Sequence, residues 1–143
     1  MTTARELRRI MRAIHKVLER REHLHLLQPT WRRVHNEGNI PASTGFCSVA
    51  AEVLYHLAGG EGSGLTPHRL RYGDGTTHWW LEDARGRVWD PTADQFPSNA
   101  DIGYEQGRAG GFPTPRQGLR HQPPSKRAAE LMAAVVEELH SGR

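Results

Sequence analysis

The chain has 143 residues, of which 36% are hydrophobic, and its mean hydropathy is −0.68. That suits one domain around one modest core, and no stretch approaches the ~18 apolar residues of a membrane span. A net charge of +3 is basic without being extreme, and one cysteine rules out an internal disulfide.

Met1 to Glu6 lacks the apolar run of a secretory signal, so a cytoplasmic protein is expected. Residues 3 to about 26 read as a helix. Thr3 and Glu6 have capping-box spacing, and Leu7, Ile10, Met11, Ile14, Val17 and Leu18 recur at intervals of three and four. This stripe reads as core packing, with a partner groove as the alternative. Cations gather in the same segment, as Arg5, Arg8, Arg9, Arg12, Lys16, Arg20 and Arg21, followed by Arg32 and Arg33. They read as a solvated face. A footprint for nucleic acid is the alternative, but no nucleic-acid motif supports it.

Pro29, Thr30 and Trp31 end that segment, and residues 27–46 read as a connector with a turn at Asn36-Glu37-Gly38-Asn39. A second helix starts at or just before Cys47. Val49, Ala50, Val53, Leu54 and Leu57 line one side of it, and Gly59-Gly60 stops it. Three strands follow, His68 to Tyr72, Thr76 to Glu82 and Arg87 to Asp90, joined by turns at Gly73-Asp74-Gly75 and Asp83-Ala84-Arg85-Gly86. Residues 97–124 form a long loop rich in proline and glycine, which reads either as a lid or as a connector. Ser125 caps a last helix with Ala128, Leu131, Met132, Val135, Val136 and Leu139 on its apolar face. The expected fold class is α+β: residues 1–143 as a single domain, with a nucleophile helix on a small antiparallel sheet and amphipathic helices at both ends.

Cys47 stands at a helix N-terminus, where free N–H groups and the helix dipole favour a thiolate. His78 lies in the second strand and Asp90 ends the third. In that order they can act as nucleophile, base and the group that orients the base. The simplest hairpin register pairs Glu82 with Arg87 and leaves Asp90 one position from the residue opposite His78; a one-residue bulge brings both to one face. The Cys47 N–H is one oxyanion donor, with Ser43, Thr44 and Asn39 as candidates for a second. The competing reading is a small buried cysteine with unrelated polar neighbours. His23, His25, His56 and His68 form no HExxH pair and no cysteine pair exists, so no metal site is expected.

Gly45-Phe46-Cys47, His78-Trp79-Trp80-Leu81-Glu82 and Trp89-Asp90-Pro91-Thr92 together resemble the core of transglutaminase-like proteins. Gly59-Gly60-Glu61 and Thr92-Ala93-Asp94-Gln95-Phe96 are similar to the small bacterial YunG type within that group. The resemblance covers roughly residues 40–96. It implies a papain-like or transglutaminase-like fold and a cysteine-dependent hydrolase or acyltransferase acting on an amide, isopeptide or thioester bond. Cys47, His78 and Asp90 match the catalytic positions. Pro41 stands six residues before the cysteine, where papain-like proteases place a glutamine donor. Trp79, Trp80 and Gln95 are expected to contact a protein, peptide or other amide substrate, with Trp89 flanking. No cofactor, metal, membrane or nucleic-acid partner is expected. The alternative is a non-catalytic binding or adaptor protein on the same fold.

Overall fold

Leu7, Ile10, Ile14, Val17 and Leu18 form one buried stripe on α1 (Ala4–Glu19) in a computed structural model that describes residues 2–112 and 123–141. Thr3 and Glu6 close a reciprocal capping box at its start. The helix stops at Glu19 rather than near residue 26. The apolar period ends at Leu18, Arg21 takes a φ of 56°, and Leu24–Leu26 form a 3₁₀ turn that buries Leu26 instead. Pro29 opens a helix where the sequence reading placed an end. It occupies the first turn of α2 (Pro29–Glu37), where its missing N–H has no partner to lose. The supposed connector therefore contains a helix, one whose only buried residue is His35 and whose apolar signal is correspondingly weak.

α3 (Cys47–Leu57) begins at the cysteine and buries Val49, Ala50, Ala51, Val53 and Leu54. Ala128, Leu131 and Val135 of α4 (Lys126–Ser141) complete the same core. Ser125 caps α4 by accepting from the Ala128 N–H at 3.2 Å. Its own N–H and hydroxyl donate to the buried Glu52 carboxylate at 2.9 and 3.1 Å.

The sheet joins β1 (Thr66–Arg71), β2 (Thr77–Glu82), β3 (Val88–Trp89) and β4 (Arg108–Ala109) in the order β3-β2-β1-β4, with every pairing antiparallel. The molecule is thus a mixed α+β protein. The three-strand meander gains a fourth, two-residue strand from the stretch read as an irregular loop. That stretch also holds a 3₁₀ turn at Tyr104–Gln106, and another, Ala93–Gln95, lies just ahead of it. Its remainder, residues 113–122, lies outside the described residues. Strand alternation sorts the aromatic residues. Trp79, Leu81 and Trp89 join the core built by the helices. His78 and Trp80 point the other way, beneath Phe96 and Tyr104. Among the described residues no helix is long and apolar enough to cross a membrane.

Candidate active site

The Asp83–Arg87 turn decides which side chains meet. The Gly86 N–H donates to the Asp83 carbonyl at 2.9 Å, and the Asp83 N–H donates to the Arg87 carbonyl at 3.0 Å. Gly86 sits at φ 78°, in the left-handed region that suits glycine. Asp83 Oδ1 braces the turn by accepting from the N–H groups of Arg85 and Arg87. The result is a three-residue hairpin loop with its extra residue at the glycine. Glu82 then pairs with Val88 and Leu81 with Trp89, one residue away from the simplest register. Continued outward, this register sets Asp90 opposite Trp80 and on the face of His78.

The two side chains meet there. His78 Nε2 lies 2.6 Å from Asp90 Oδ2, with 2% and 3% of the side chains exposed. Burial disfavours a charged ring, but hydrogen bonding to Asp90 and then to Cys47 outweighs it, raising the His78 pKa from 6.5 to about 9. The pairing therefore favours the charged, imidazolium form of the ring. Trp80 stacks on it at 5.7 Å between centroids, and Phe96 meets it edge-on at 4.8 Å. The other carboxylate oxygen, Asp90 Oδ1, accepts the Thr92 N–H at 3.0 Å. The Tyr104 hydroxyl donates to Asp90 Oδ2 at 2.6 Å. The Gln95 amide nitrogen stands 3.3 Å from His78 Nδ1 and donates to Thr92 Oγ1 at 3.1 Å.

Cys47 stands at the first turn of α3, half-buried, with Sγ 3.4 Å from the Thr77 carbonyl oxygen. Gly45 precedes it at φ 87°, with Trp31 Cγ only 2.8 Å from where a Cβ would stand. This gives the Gly-x-Cys spacing a steric reason. Cys47 and His78 share a cavity of about 650 Å³ whose walls include Trp31, Tyr72, Trp79, Gln95, Phe96 and Arg127.

Of the residues expected to touch substrate, Trp79 and Gln95 line this cavity and Trp80 does not. Trp80 is fully buried behind His78, and its indole N–H donates to Glu82 at 3.1 Å. Trp89 lies in the helix-side core, away from the cleft, and donates to Asp83. Among the oxyanion candidates, Ser43 is spent on Asp94 at 2.8 Å, and Asn39 is exposed outside the cavity. Thr44 lines the cavity, but its hydroxyl oxygen is buried and makes no hydrogen bond among the described residues. Sequence reasoning gave no role to Tyr104 or Phe96. Tyr104 reaches Asp90 through the tertiary return of the chain, which leaves no local signal, whereas Phe96 stands in the Thr92-Ala93-Asp94-Gln95-Phe96 motif without a role attached. The Thr92 contact was readable, because an aspartate commonly bonds the N–H two residues on. Among the described residues no cluster of three histidine, cysteine or acidic side chains is arranged to hold a metal. No family model matches this chain, and no curated protein or solved structure matches it.

Proposed function

We propose that this protein is a cysteine-dependent hydrolase or acyltransferase acting on an amide, isopeptide or thioester bond, built on a papain-like core. One observation carries the reading: His78, paired with the buried Asp90 at 2.6 Å, lines a cleft together with a helix-N-terminal cysteine. The residue matches to transglutaminase-like proteins over residues 40–96 add to it.

In this scheme the Cys47 thiolate attacks the substrate carbonyl, and the oxyanion is held by N–H groups at the start of α3. The tetrahedral intermediate expels its leaving group, an amine or a thiol, which takes the proton of the His78 imidazolium. The resulting thioester passes its acyl group to water or to an amine. Neutral His78 takes the acceptor's proton, and the Cys47 thiolate returns. Asp90 holds the ring by Nε2 and stabilises its charged form, and Nδ1, which the Gln95 amide also approaches, exchanges the proton. Trp79 and Gln95 contact the substrate.

The second reading is a non-catalytic binding or adaptor protein. The Cys47 thiol directed at the Thr77 carbonyl favours it, because a protonated structural cysteine makes that contact. The test is acylation by p-nitrophenyl acetate. The catalytic reading expects a rapid burst of one p-nitrophenol per chain, absent in Cys47→Ala and slowed at least ~10-fold in His78→Ala. A thiol that reacts with the ester, or with iodoacetamide, only after unfolding in urea refutes catalysis and leaves the adaptor.

A further inference from the structure

We propose that Tyr104 is a positioning residue for His78: its hydroxyl shares Asp90 Oδ2 with the His78 Nε2–H, fixes the carboxylate and draws charge from the oxygen facing the ring. The word positioning rests on the reading of Cys47, His78 and Asp90 as the reacting line.

Both contacts to Asp90 Oδ2 measure 2.6 Å, while Oδ1 is taken by the Thr92 N–H at 3.0 Å. Neither carboxylate oxygen is left to rotate freely. Tyr104 is a dependable donor, because burial first and Asp90 second push its phenol well above the ordinary tyrosine range. A donor to a carboxylate spreads its charge and weakens its hold on another donor at the same oxygen.

Tyr104 comes from the far side of the fold, and several contacts hold it in place. Its ring meets Trp80 at 5.1 Å and 70°. Gly107 lies flat against the same indole, where a Cβ would stand 2.2 Å from the ring. β4, two residues beyond the 3₁₀ turn, is pinned to β1. Tyr72 donates to the Ile102 carbonyl at 2.8 Å, just ahead of the turn. Thus the ring that stacks on His78 also seats the segment that restrains its partner.

The titratable groups facing His78 are Asp90 after β3 and Cys47 on α3, with Tyr72 and Tyr104 beyond the carboxylate. Thr92, Gln95, Trp80 and Phe96 do not titrate. The experiment is an NMR titration of the His78 ring carbon in the full chain, using wild type, Tyr104→Phe and a chain with 3-fluorotyrosine at position 104. Removing the donor concentrates charge on Oδ2, so Tyr104→Phe moves the midpoint up by ~0.5 pH unit. The fluorinated phenol is a stronger donor of nearly the same shape, and moves it down. A midpoint unmoved by both, or moved the same way by both, overturns the inference, since a ring that merely fills space gives no opposed shifts. Should Tyr104→Phe fail to fold, the fluorinated chain decides by itself: a downward shift supports the inference and no shift overturns it. The titration needs no substrate, so a missing acylation burst counts against the proposed function and leaves this result standing.

Discussion

Replacing Asp90 by asparagine keeps the shape of the buried pair and removes its charge. In the wild type His78 titrates at about 9 against a reference of 6.5. That gap corresponds to ~3 kcal/mol of preference for the charged ring in the folded state. A histidine whose folded pKa is raised contributes its stability in full below the unfolded value. The contribution is lost as pH rises through the folded one. Wild-type stability therefore falls by ~3 kcal/mol between pH 6.5 and 9.5, which at ordinary urea slopes moves the unfolding midpoint down by ~1–3 M. In Asp90→Asn burial is opposed only by the Cys47 contact, and the His78 midpoint drops well below 9. The mutant loses the corresponding part of the pH-dependent slope. Other groups titrate in this window: His15 is raised by Asp94 and acts in the same direction. The difference between wild-type and mutant profiles cancels that contribution. The assays are an NMR titration of the His78 ring carbon and urea unfolding at pH 6, 7.5 and 9.5. A His78 midpoint that stays near 9 in Asp90→Asn refutes the argument, because the carboxylate would then not be what holds the proton.

Two structural predictions follow. Gly107→Ala drives a methyl to within 2.2 Å of the buried Trp80 ring, whose own exposure is 0%. It should destabilise by ~1–3 kcal/mol in urea unfolding and broaden the Trp80 indole resonance; wild-type stability would show that the segment yields easily. Ser125→Ala removes the α4 cap and one of two donors that the Glu52 carboxylate has among the described residues, a residue only 4% exposed. A loss of ~1–2 kcal/mol is expected, and a change below ~0.5 kcal/mol would mean that the cap is dispensable.

Elements with strong local codes were readable from the sequence. The Thr3–Glu6 box, the α1 stripe, the start of α3 at Cys47, both hairpin turns and the Ser125 cap appear where the residues predict them. Other features were not readable, each for a physical reason. Pro29 has the same letter whether it ends one helix or opens the next, and α2 buries too little to show a period. β4 is a two-residue strand held by pairing to β1, so tertiary contact rather than propensity creates it. Tyr104 reaches Asp90 through that same return of the chain. The identities of Cys47, His78 and Asp90 could be named from pattern. Whether His78 and Asp90 share a face could not, because that depends on one residue of register.

That single residue ties the site to the core. A plain count outward from the turn pairs Glu82 with Arg87 and throws Asp90 onto the face of Trp79. With Gly86 left-handed, Asp83 meets Arg87, and every later position on β3 changes sides. The shift that brings Asp90 to His78 also sets Trp89 opposite Leu81, on the helix side, where Trp89 is only 7% exposed. A slip of one residue would expose the indole and withdraw the carboxylate together. Burying a large aromatic is worth ~2–3 kcal/mol, so the core penalises the slip whether or not the site is in use. The His78–Asp90 contact is thus guarded by a tryptophan whose side chain lies in the helix-side core and bonds Asp83. The code for that contact lies in the spacing from Asp83 to Trp89 as much as in the pair itself.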